Sequence, residues 1–159
     1  MKKSILVICT LFALASCGNG EKKQGSEKNT TETPKNIELT INAIGNTMAD
    51  MAYDTKEIKV KAGSKVKINL INQGTDAAML HNIVFVKQGA EKEVAMEGIN
   101  LKDKNYFNAA NPNIIGGSVV AGPGSTVSFE FIAPEAGTYT YICTYPGHWM
   151  KMQGVLIVE

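Results

Sequence analysis

Apolar and polar positions alternate along most of this chain in short runs broken by turn residues. A period of two places successive side chains on opposite faces of a strand. Ile37, Leu39 and Ile41 alternate in this way, as do Ile58 and Val60 between lysines, and Val66, Ile68 and Leu70 ahead of an Asn72-Gln73-Gly74 turn. Residues 83–86 form a short continuous apolar run, and Val127, Phe129 and Phe131 alternate with Ser128 and Glu130 before the turn signal Pro134-Glu135-Ala136-Gly137. Tyr139, Tyr141 and Cys143 share one face of a further strand, and residues 155–158 close the pattern. Such runs predict antiparallel β-structure. Between residues 90 and 105 the alternation stops, and Glu91, Lys92, Glu93, Val94, Ala95, Met96 and Glu97 favour one short surface helix inserted between strands. About seven or eight strands in roughly 120 residues predict an all-β Greek-key sandwich, with a small closed barrel as the alternative.

The N-terminal region breaks this pattern twice. Lys2 and Lys3 precede an apolar run over 5–15 that is too short to span a bilayer, so residues 1–16 read as an export signal. The run ends in Leu14-Ala15-Ser16-Cys17, which resembles the lipobox of bacterial lipoproteins, where cleavage precedes the cysteine and the cysteine is acylated. Residues 18–36 hold no aliphatic or aromatic side chain, so they contribute nothing to a core and read as a flexible tether. The expected organisation is a signal over 1–16, an acylated Cys17 with its tether over 17–36, and one domain over 37–159. The bilayer is thus an expected partner through Cys17, on the periplasmic side of the envelope.

Composition narrows the chemistry. All 16 basic residues are lysines, so the bidentate guanidinium contacts that suit phosphates and base edges are absent, and a nucleic-acid role is not expected. Without Lys2 and Lys3, 14 lysines face 15 acids, leaving a net charge of −1 that steers no strongly charged ligand. Of three cysteines, Cys9 leaves with the signal and Cys17 goes to lipid, so Cys143 has no partner in an oxidising compartment. An exported lone thiol is either buried and inert or held by a soft metal. Only two histidines occur, His81 and His148, which excludes multinuclear imidazole-rich enzymes.

Cys143, His148 and Met152 are spaced C-x4-H-x3-M just before the last strand. Thiolate and thioether favour Cu(I), and imidazole also accepts Cu(II), so two imidazoles, a thiolate and a weak axial thioether suit a copper ion that cycles between both states. The second imidazole has to be His81. No acid–base pair or activated nucleophile accompanies this set, so an electron carrier is expected rather than an enzyme.

At these residues the chain resembles the azurin-like cupredoxins, the small blue (type 1) copper electron carriers. The resemblance rests on Cys143-Thr144-Tyr145-Pro146-Gly147-His148, on Met152 and Gly154 beyond it, and on the His81-Asn82 pair. It implies one type 1 copper per chain, with His81, Cys143 and His148 equatorial and Met152 axial. Asn82 is implied to tie the two ligand loops together and to donate toward the thiolate, with Thr144 beside it and the Tyr145 amide as a second donor. Met79, Pro146, Gly147 and Trp149 are implied to form an apolar surface around the second histidine, through which electrons pass to transiently bound redox proteins such as a cytochrome, oxidase or reductase. A monomer is expected. Two features depart from the family. Leu80 stands where azurins carry a glycine whose carbonyl approaches the metal, so the Leu80 carbonyl is a weak axial candidate only, and the family's N-terminal disulfide has no counterpart. The rival reading, with the same soft ligands, is storage or delivery of copper in the envelope.

Overall fold

The computed structural model describes residues 35–159, and the signal run, Cys17 and nearly all of the tether lie outside them. Two sheets form the domain. The first joins β2 (Ala52–Tyr53), β1 (Asn36–Ile44), β4 (Lys65–Asn72) and β7 (Thr126–Ile132) in that order. The second joins β3 (Glu57–Val60), β9 (Gln153–Val158), β8 (Gly137–Ile142), β5 (Val84–Lys87) and β6 (Ile114–Gly117). Four of the seven pairings join strands that are not consecutive in sequence, as a Greek-key order requires. This is a sandwich, not a closed barrel.

The alternating runs become strands because one set of side chains meets the facing sheet. Ile41 and Ala43 of β1, Val66, Ile68 and Leu70 of β4, Ile58 and Val60 of β3, and Leu156 and Val158 of β9 are buried in one core. Nine strands occur among the described residues, against the seven or eight expected. The two-residue β2 and the glycine-rich β6 are too short or too bare of side chains to show a period. Two pairings also differ from the antiparallel expectation, since β1 runs parallel to β4 and β3 parallel to β9. A period of two reports which face is buried and carries no information about strand direction.

The short apolar run is buried on both faces. Ile83 and Phe85 enter the main core, while Val84 and Val86 face a second cluster with Ile142. The helix α1 (Glu91–Gly98) covers that outer face with Ala90, Val94 and Ala95. A strand clothed on both sides needs no polar alternation, which accounts for the unbroken run. Phe85 centres the main core, with ring centroids 4.8 Å from Phe131, 5.2 Å from Tyr141 and 5.9 Å from Phe129.

Candidate metal centre

Three donor atoms meet at one end of the sandwich. His81 and His148 Nδ1 lie 3.2 Å apart, and Cys143 Sγ lies 4.0 Å from the first and 3.8 Å from the second. All three side chains are buried, with His148 2% exposed and the others fully enclosed. Bonds typical of a first-row metal, about 2.0 Å to nitrogen and about 2.3 Å to sulfur, would in a trigonal plane set the nitrogens about 3.5 Å apart and each about 3.7 Å from sulfur. The observed triangle matches that size, so these residues fit a single metal ion at its centre.

Local hydrogen bonds explain how the chain folds this way. The Cys143 amide donates to the Met152 carbonyl at 3.0 Å, and the Met152 amide donates to the His148 carbonyl at 3.0 Å, so residues 143–152 close on themselves. Gly147 sits at φ +85°, the left-handed turn that directs His148 inward and that glycine adopts without penalty. Gly154 is required for space, because a Cβ there would lie 2.2 Å from the Tyr141 ring. Met152 is fully buried beneath the loop.

His81 arrives from the far side of the chain on a backbone bridge, donating to the Ala121 carbonyl at 3.1 Å and accepting from the Ala121 amide at 2.7 Å. Asn72, read from sequence only as a turn residue, is buried and braces the preceding loop. Its Nδ2 donates to the carbonyls of Met79 at 2.7 Å and Ala121 at 3.0 Å, and its Oδ1 accepts from the Gly74 amide at 2.9 Å. Asn82 spans the two ligand loops. Its Oδ1 accepts from the Thr144 amide at 2.8 Å, and its Nδ2 donates to Thr144 Oγ1 at 2.8 Å and to the Asn105 carbonyl at 2.7 Å.

Burial sets the electrostatics. It pushes the Cys143 thiol up to about 11, against the pull of hydrogen bonds from the Asn82 and Tyr145 amides and the Tyr53 hydroxyl. Burial, with the neighbouring His148 charge, holds His81 down to about 4, and burial lowers His148 as well. Both imidazoles are therefore neutral near pH 7 with a lone pair free for a metal, while the thiol gives up its proton when a cation arrives.

The surface around His148 differs in part from the expected set. Gly147 is exposed and Pro146 and Leu80 are half-buried, but Met79 is 5% exposed and lies in the interior. Trp149 turns toward the second cluster under α1, an apolar site created by the insertion that a reading of the loop alone does not reveal. The exposed thioethers are instead Met48 and Met150, at 49% and 65%. A Cβ on Gly147 would touch Met48 Cε at 3.4 Å, and Lys151 Nζ donates to the Ala49 carbonyl at 2.8 Å, which lays the 46–50 turn against the ligand loop. Sequence reasoning also missed Tyr53, Asn105 and Tyr106. Tyr106 meets Tyr145 edge-on at 4.9 Å, and Tyr145 lies 4.9 Å from the His148 ring.

A buried two-imidazole, one-thiolate site in a Greek-key sandwich defines a mononuclear copper protein. The chain belongs to the copper binding proteins of the plastocyanin/azurin family, whose model matches residues 40–159. It is 37% identical to auracyanin-A of Chloroflexus aurantiacus over 165 aligned positions, covering 100% of this chain and 98% of that protein. It is 35% identical to azurin of Alcaligenes faecalis across 67% of this chain and 88% of that one. Among solved structures it is similar to auracyanin A, described as a "blue" copper protein, with a TM-score of 0.66 over 77% of this chain and 98% of the other. Reduced auracyanin of Roseiflexus castenholzii gives a TM-score of 0.69 at 35% identity, over 79% of this chain and 98% of the other.

Proposed function

We propose that this protein is a one-electron carrier of the bacterial envelope, in which His81, Cys143, His148 and Met152 would hold copper. The observation that carries the reading is the enclosed triangle of two neutral imidazoles and one thiol. Bound copper supplies a single electron per cycle by alternating between Cu(I) and Cu(II).

The protein's own contribution is to keep the donors still. The bonds that close residues 143–152 and the Asn82 bridge between the ligand loops hold the site in one shape, so little has to rearrange when charge changes. Burial excludes water from the donors. Gly147, Pro146, Met48 and Met150 offer a small apolar approach over His148, suited to brief contacts with a cytochrome, oxidase or reductase rather than to a lasting complex. Buried donors also favour a carrier over a storage or delivery protein, which needs an exchangeable site.

The test is the visible spectrum of the protein loaded with Cu(II), beside Cys143→Ser. An intense thiolate-to-copper band that bleaches reversibly with reductant and is lost in the variant is expected. Copper uptake without that band would overturn the carrier reading in favour of storage or delivery. Export and anchoring follow from residues 1–16 and Cys17. The protein should partition with membranes, and Cys17→Ala should release it to the soluble fraction; a wild type that is itself soluble refutes the anchor.

A further inference from the structure

Among the described residues the methionines fall into two sets by exposure. Met51, Met79 and Met152 are buried, whereas Met48, Met96 and Met150 are open to solvent. Two of the exposed three lie at the ligand loop. Met150 follows Trp149 in the turn that carries His148, and Met48 stands over Gly147, where its Cε would lie 3.4 Å from an added Cβ. Lys151 Nζ donates to the Ala49 carbonyl at 2.8 Å, which keeps the Met48 turn in that place. Met96 belongs instead to α1, which covers the outer face of the second sheet.

Packing does not call for sulfur at Met48 or Met150. Neither fills the core, and a leucine would present a comparable apolar surface. A thioether differs in its reactivity, because oxidation turns it into a polar, hydrogen-bond-accepting sulfoxide. With hydrogen peroxide the sulfur gains one oxygen and loses two electrons; the S–O bond forms as the O–O bond breaks, and the peroxide leaves as water. A methionine sulfoxide reductase reverses the step, releasing that oxygen as water while a dithiol becomes a disulfide. Access decides which sulfurs react, so the exposed set is open to peroxide and the enclosed Met152 is shielded beneath the ligand loop.

We propose that Met48 and Met150 form a reversible oxidation site, at which peroxide makes the apolar approach to His148 polar and slows electron exchange while leaving the metal centre unaltered; this rests on the carrier reading above. A redox partner has to strip water from this surface to come close to His148. Sulfoxides hold water more tightly than thioethers, so the oxidised surface is harder to desolvate. The donors lie enclosed beneath it, with His148 itself buried, so the change stays at the surface.

The experiment treats copper-loaded wild type and Met48→Leu/Met150→Leu with hydrogen peroxide, removes the peroxide, maps oxidation by peptide mass spectrometry and follows electron transfer from reduced cytochrome c by stopped flow. In the wild type Met48 and Met150 should each gain one oxygen, as should Met96, before Met51, Met79 and Met152 do. The transfer rate should fall about tenfold, equivalent to about 1.4 kcal/mol. The thiolate band and the reduction potential should not move, and the rate should recover with a methionine sulfoxide reductase and a dithiol. The doubly substituted protein should keep its own untreated rate although its Met96 is oxidised. An unchanged wild-type rate with both sulfurs oxidised overturns the proposal, and so does equal slowing of the double variant, which places the damage elsewhere. The same map on metal-free protein gives a readout independent of copper; there, oxidation of Met51 and Met79 as fast as that of Met48 and Met150 refutes the site. A wild type with no thiolate band overturns the carrier reading itself, and this proposal with it.

Discussion

The ligand end of the sandwich and the outer covering of its second sheet are built on different principles. At the ligand end, polar side chains are buried and paired: Asn72, Asn82 and Thr144 are nearly or wholly enclosed and hydrogen-bonded to backbone or to each other. On the outer face, α1 and its flanks lie on Val84, Val86 and Ile142 through Ala90, Val94 and Ala95, and the contact is mainly apolar, with Thr140 buried beside Val86 and donating to Glu91 Oε1 of α1 at 2.6 Å. Apolar burial is non-directional, so it adds stability without fixing any atom to better than the slack of its packing. A buried hydrogen bond constrains distance and angle, and a missing partner there is costly. Directional contacts therefore gather where donor atoms have to be held in a triangle, and hydrophobic ones where a sheet face only has to be kept dry. The two regions meet at Asn105, which ends the insertion's 3-10 turn at φ 58° and gives its carbonyl to Asn82.

That contrast can be broken by two substitutions measured together. Asn82→Ala strips the Thr144 amide of its acceptor and unlinks the ligand loops, so copper affinity should fall by about 10–100-fold and the metal-free protein should lose about 1–3 kcal/mol. Val94→Ala removes two buried methyl groups from the second cluster and should destabilise the fold by about 2 kcal/mol, with affinity unchanged within about twofold. Chemical denaturation gives the stabilities and competition with a copper chelator gives the affinities. Equal losses of affinity in both variants would show that the outer cluster also holds the donors in place, and the division drawn above would be lost.

The candidate ligand loop is legible in the sequence because its residues are local: Cys143, His148 and Met152 fall within ten residues, and cysteine and histidine are rare in this chain. His81 was reachable by counting, since no other imidazole exists to complete the set. What escaped depends on contacts that spacing does not encode. Tyr53 reads as one more apolar position in a two-residue strand, and its meeting with Asn82 across 29 residues exists only once β2 has paired with β1. Asn72 looks like a turn former, and its grip on Ala121, 49 residues away, is a tertiary fact. The resemblance implies a surface position for Trp149, whereas the insertion supplies an apolar face against which it is half-buried.

The smallest expected effect lies in the insertion and is tied to pH. Glu97, in the last turn of α1, accepts from Asn111 Nδ2 at 2.6 Å and Asn108 Nδ2 at 2.8 Å, which staples the helix to the segment that leads into β6. These two amide donors, Asn111 first, hold the Glu97 carboxyl below its ordinary value of 4.5. A carboxyl lowered in the folded state stabilises that state fully above its ordinary value and loses the contribution as pH falls through the lowered one. Glu97→Gln should therefore melt slightly below wild type at pH 7, and the gap should narrow between about pH 5 and pH 3 as the wild-type carboxyl takes up its proton. The group is only half-buried, so screening by solvent keeps the effect small. Thermal melts of both proteins across that range decide it. A gap that stays constant with pH would mean that the staple works through shape alone, and a gap that widens in acid would reverse the sign argued from the two amides.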